Sequence, residues 1–128
     1  MESIILEINL KNIFLNYLKL KEKNANGITA AVVKANAYGL GIKRIIPILR
    51  KAGCNDFYVA TIKEAIEIRK LNKKINIYVL NGIDKNEIKY FIDNNIIPVI
   101  NNLNEFRIVY GIKKKFSALL HYDTGMNR

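Results

Sequence analysis

Apolar positions in this chain follow two rhythms. Leu10, Ile13, Phe14, Tyr17 and Leu18 recur at i, i+3, i+4, i+7 and i+8, which gathers them on one helix face, and Asn9 stands where an N-cap belongs. A short apolar run over residues 4–8 precedes that helix and reads as an initial strand. Asn26-Gly27 turns the chain, and residues 28–34 form the first continuous run suited to a buried strand. Ile42, Ile45, Ile46 and Leu49 resume the helical spacing. Pro47 lies too deep for a first-turn proline, so that helix is expected to bend or shorten.

From there the rhythms alternate. Residues 57–60 read as a strand, and Thr61 with Glu64 makes a capping box for a helix running to about Leu71. Residues 75–80 are the next strand, Asn81-Gly82 turns, and Ile88, Phe91 and Ile92 mark a helix face. Residues 96–100, with Pro98 inside, form a short strand; Asn102 and Glu105 cap a helix carrying Leu103, Phe106, Val109 and Tyr110. Residues 116–122 are the last strand.

Strict strand-helix alternation specifies an α/β protein of parallel strands joined by right-handed crossovers. Continuous apolar strands belong to a sheet covered on both faces or closed into a barrel. Five strands and four intervening helices make about half of an eight-stranded α/β barrel, which takes about 250 residues. The residues therefore allow an open doubly wound sheet or the first part of a barrel, and the chain stops at Arg128, shortly past the last strand, with no helix to cover it.

Charge and cysteine usage narrow the function classes. The 128 residues carry a formal net charge of +10, yet the lysines are spread along the chain, and the run Lys113 to Lys115 falls between two elements as a solvated loop. Zinc-ligand spacing and arginines interleaved with aromatics are both missing, so the reading is no nucleic acid and no metal. The single cysteine, Cys54, cannot form an internal disulfide and reads as a small, half-buried packing residue in a reducing compartment. No basic-then-apolar leader and no membrane-length run is present, which points to the cytoplasm with no membrane association.

Candidate chemistry lies in "AVVKANAYGLG", residues 31–41. Lys34 leaves the carboxyl end of an apolar strand, where α/β folds place their sites. Gly39 and Gly41 permit a tight turn with close backbone approach, and Tyr38 can offer a hydroxyl to an anion. The last strand ends in "DTGMNR", residues 123–128, at the same rim. Asn36 reads as a turn former, Asp123 as the head of an Asx turn, and Met126 as packing.

The first stretch closely resembles the cofactor-lysine motif of bacterial alanine racemases, barrel-type pyridoxal-phosphate enzymes, and the second resembles a later motif of that family. The spacing between them is about that of the family, and the resemblance spans essentially the whole chain. It implies that residues 1–128 are the N-terminal part of a pyridoxal-phosphate-binding (β/α)8 barrel domain, without the later strands and the C-terminal β domain. Lys34 would hold pyridoxal 5'-phosphate through its primary amine and then remove the α-proton of D-alanine. Tyr38 would contact the cofactor phosphate. Arg128 would pair with the substrate carboxylate, near the cofactor's phenolic oxygen.

The implied function is interconversion of L- and D-alanine for peptidoglycan synthesis, by an enzyme that is a homodimer when complete. In the family the second proton-transfer group is a tyrosine of the C-terminal domain, so the 128 residues alone are expected to be inactive. Two positions depart from the family pattern. His121 stands where many members carry a lysine carbamate that steadies the arginine, and Leu40 where many carry histidine. Two other readings share the lysine: another barrel-type pyridoxal-phosphate enzyme, such as an amino-acid decarboxylase or a broad-specificity racemase, and a non-catalytic fragment that needs a partner chain.

Overall fold

The computed structural model describes residues 4–24 and 26–127. Helix α1, Leu10–Lys23, starts at Asn9, whose side chain accepts from the Asn12 backbone N–H. Strand β1 is Ala31–Val32, followed by a single turn, α2, over Lys34–Tyr38. Helix α3 covers Ile42–Lys51, β2 Asp56–Val59, α4 Ile62–Leu71 and β3 Asn76–Val79. A 3-10 turn at Lys85–Glu87 leads into α5, Ile88–Asp93; then come β4, Ile97–Ile100, α6, Leu103–Tyr110, and β5, Leu119–Leu120.

The strand order β1-β2-β3-β4-β5, every pair parallel, decides between the two architectures the sequence allows. A doubly wound sheet reverses direction at a switch point. Here each strand joins the one before it without reversal, which is the winding of a barrel, and the fold is a partial (β/α)8 barrel.

Side chains alternate across the sheet and so divide its work. Phe57, Val59, Ile77 and Val79, all buried, share one core with Ile45, Ile46 and Leu49 of α3 and Ala65 and Ile68 of α4. The intervening residues of β2 and β3 meet on the other face, where Asp56 accepts hydrogen bonds from the Asn76 amide and the Tyr78 hydroxyl at 2.9 Å each. The helical layer is therefore apolar, while the barrel-interior face carries a polar cluster between β2 and β3.

Three expectations are corrected. Residues 4–8 form no strand; Ile4, Ile5 and Leu6 are exposed, because no described strand lies alongside them to complete a ladder. Helix α3 is not shortened: it continues past Pro47 to span ten residues. Pro47 is exposed, so the carbonyl one turn earlier, deprived of its N–H partner, is left on a face that water can reach. Cys54 is fully buried rather than half-buried, with its thiol 3.4 Å from the Asp56 carbonyl, and burial pushes that thiol's pKa up. Among the described residues no helix is long and apolar enough to cross a membrane.

Candidate active site at the carboxyl ends of the strands

β1 is short because the chain coils tightly right after it. The Val33 N–H donates to the Tyr58 carbonyl at 2.8 Å, one last rung of the ladder, and Lys34 follows. Ala35, Asn36, Ala37 and Tyr38 then all hold left-handed backbone, with φ of 50°, 54°, 56° and 54°. A side-chain-bearing residue gives up about 1–2 kcal/mol in that conformation, and such strain gathers at functional sites. Gly39 and Gly41 continue at φ 84° and 93°, where glycine is at ease. The Asn36 side chain accepts from the Ile42 N–H at 2.9 Å, replacing the cap that Gly41 cannot supply to α3. Asn36 is thus a turn former, as its sequence context suggests.

The strained turn is tied to its neighbour through one carboxylate. Glu64 closes the capping box of α4 with Thr61, its Oε2 accepting from the Ala60 and Thr61 N–H groups at 2.8 and 3.1 Å. Its other oxygen, Oε1, accepts from the Ala35 N–H at 2.6 Å.

A cavity of about 440 Å³ opens at the carboxyl ends of the strands. Lys34 and Tyr38 line it from the first rim loop, Tyr58, Leu80 and Val99 from the next three strand ends, and Leu119, Leu120, His121 and Met126 from the last. Lys34 is half-buried, and Tyr38 is 61% exposed. Tyr58 stacks on Tyr78 with centroids 4.5 Å apart. Burial, and then the hydrogen bond to Asp56, pushes the Tyr78 phenol up to about 12, and burial also raises Tyr58, so both stay neutral near pH 7. A larger groove of about 810 Å³ is lined by Asn36, Leu40 and Gly41 of the turn, by Ile42 and Lys43 of α3 and by Glu67 of α4; Lys34 does not line it.

His121 is anchored through one ring nitrogen. The Asn101 amide nitrogen donates to the Leu80 and Val99 carbonyls at 3.0 Å each, which orients the amide and leaves its oxygen 3.0 Å from His121 Nδ1. That oxygen can only accept, so Nδ1 is the donor in this contact. Asp123 accepts from the Gly125 and Asn127 N–H groups at 3.0 and 2.9 Å, the anticipated Asx turn, and these bonds hold its carboxyl below the usual carboxylate range.

The two motifs singled out in the sequence thus converge on one cavity, Lys34 and Tyr38 from the first and Met126 from the second, with His121 beside them. Arg128 lies outside the described residues. Sequence reasoning missed the left-handed turn, the second bond of Glu64 and the role of Asn101. Only Asn101, an amide directly after a strand, carried a local signal.

Comparison with known proteins gives a consistent set of likenesses. Residues 8–128 match the family model described as "Alanine racemase, N-terminal domain". The alanine racemase of Rickettsia prowazekii is 43% identical over 96% of this chain and 32% of its own length, and that of Brucella ovis 40% identical over 97% and 33%. The crystal structure of alanine racemase from Bartonella henselae with covalently bound pyridoxal phosphate superposes with a TM-score of 0.86 at 36% identity, covering 94% of this chain and 35% of that one. The chain spans about a third of the length of the curated relatives it matches.

Proposed function

Because the chain belongs to the alanine racemase N-terminal domain family, we propose that it is the cofactor-binding part of a pyridoxal-phosphate-dependent racemase acting on alanine. The observation that carries this reading is Lys34 on a strained turn, opening with Tyr38 and His121 onto a single cavity. The donor set fits the group: a primary amine for covalent attachment, a phenol for a phosphate, and a volume of about 440 Å³, within the roughly 300–1,000 Å³ usual for small-molecule sites.

Bound pyridoxal phosphate supplies the electron sink that makes an amino acid's α-proton acidic. Lys34 Nζ would hold it covalently and, once freed, accept the α-proton on one face of the α-carbon. The Tyr38 hydroxyl would donate to its phosphate, and the Arg128 guanidinium would hold the substrate carboxylate through paired bonds. Neutral Tyr58 and the apolar Leu80, Val99 and Leu119 would keep water from the reacting centre. Racemisation needs a second proton-transfer group on the opposite face, which the complete enzyme would supply. We place this enzyme in the cytoplasm as a homodimer serving peptidoglycan synthesis, with no nucleic-acid or membrane partner.

Borohydride reduction of the protein with pyridoxal phosphate, followed by peptide mapping, tests the site. The label is expected on the Lys34 peptide and to vanish from it in Lys34→Ala; an even spread over the lysines would overturn the assignment. Formation of D-alanine from L-alanine by the complete enzyme tests the reaction.

A further inference from the structure

Glu64 has more bonds than a helix cap requires. A capping box asks its N3 residue to accept from the N-cap backbone, and Glu and Gln serve equally. Glu64 Oε2 does this at Thr61 and also takes the Ala60 N–H, so the requirement is met by one oxygen. Oε1 is free to reach across to the neighbouring rim loop, where it meets the Ala35 N–H at 2.6 Å, the shortest of its three contacts with backbone N–H donors.

Ala35 is the first left-handed residue of the turn and directly follows Lys34. Its N–H belongs to the peptide plane that includes the Lys34 carbonyl, so an acceptor fixed at this point sets the direction in which the Lys34 side chain leaves the backbone. The partner must be rigid to be useful. Oε2 is anchored on two N–H groups at the carboxyl end of β2, the strand whose Tyr58 lines the same cavity. The carboxylate thus fixes two adjacent strand ends relative to each other, and an N–H bonded to an ionised acceptor is stronger than one bonded to a neutral amide. A strained turn persists only when its surroundings over-determine it.

We propose that Glu64 is the positioning residue of the site: its Oε1, by holding the Ala35 N–H, stabilises the left-handed turn and aims the Lys34 amine into the cavity. This rests on the reading of Lys34 as the cofactor-binding lysine. Glu64 itself does not line the cavity.

The test separates cap from positioning. Glu64→Gln keeps one acceptor oxygen, which the capping box can use, but cannot offer a second oxygen to Ala35; Glu64→Ala removes both. In the full chain, three quantities are read: thermal unfolding, amide exchange at Ala35 and Thr61, and the pyridoxal phosphate concentration giving half-maximal borohydride label on Lys34. In Glu64→Gln the expectation is an unfolding temperature within a few degrees of the parent, faster exchange at Ala35 with Thr61 unchanged, and a rise of about tenfold in the half-labelling concentration. A tenfold change corresponds to about 1.4 kcal/mol, close to the lower end for one hydrogen bond to a charged group.

Parent-like Lys34 labelling in either variant once the Ala35 amide has lost protection overturns the proposal, leaving Glu64 a cap. Unchanged Ala35 exchange in both variants overturns the bond itself. Exchange at Ala35 is read without cofactor, so scattered labelling of the unsubstituted chain identifies failure of the Lys34 assignment separately from failure of the tether.

Discussion

Lys34 takes its place from the backbone that follows it. Four left-handed residues, none of them glycine, raise it to the rim, and one carboxylate and one asparagine hold them there. The lysine, the tyrosine and the two glycines were legible in the sequence because each residue type has few reasons to occur in that order. The left-handed turn was not, since among its four residues only Asn36 favours that conformation and long-range contacts override the others. The closing loop was more readable: an aspartate two residues before a glycine is a local signal, and Asp123 does bind Gly125. Because backbone N–H groups hold its ionised form, Asp123 should titrate below its ordinary value of 3.8. With the folded value depressed, its support of the loop is present above the unfolded value and is lost as pH falls through the folded one. NMR titration of the Asp123 carboxyl carbon measures this; a midpoint at or above 3.8 would contradict the two bonds.

At the scale of elements, local chemistry marked the boundaries best. Asn9, Thr61 and Asn102 each begin a helix and accept from its first turn, as their side chains dictate. Strand lengths were less legible, since pairing with a neighbour is a tertiary event: residues 116–122 suggested a long β5, yet only Leu119–Leu120 pairs, on one side, with β4. Residues 4–8 illustrate the same limit with no partner at all among the described residues. Pro47 shows tertiary contacts winning over propensity, for α3 buries Ile45, Ile46 and Leu49 around it. Restoring the missing N–H should therefore help. Pro47→Ala is expected to stabilise the protein by about 1–3 kcal/mol, the upper end being the helix-interior penalty of proline, and urea denaturation would reveal it; a loss of stability would mean that the ring fits the helix without cost.

For the whole molecule, alternation of strand and helix was enough to give the class, but the choice between barrel and doubly wound sheet required the strand order. Both faces of the sheet read as apolar runs in sequence; the polar cluster on the interior face depends on Asp56, Asn76 and Tyr78 meeting across strands. The helical side holds the fold together. Phe57→Ala, at a fully buried position of β2, is expected to cost about 3–5 kcal/mol, seen as a lower denaturant midpoint with an unchanged slope; a cost below about 1 kcal/mol would show that the core collapses around the gap.

The unreversed strand order also bears on how the chain is made. Each strand pairs with the one synthesised just before it, with partners such as Phe57 and Ile77 or Val99 and Leu119 about twenty residues apart. Every closure therefore spans a similar short loop, and none waits for a distant segment. Such a sheet can assemble in the order of translation, each emerging strand finding its template already laid down at the ribosome exit, and the rim that carries Lys34 is the first part of the candidate site to take shape.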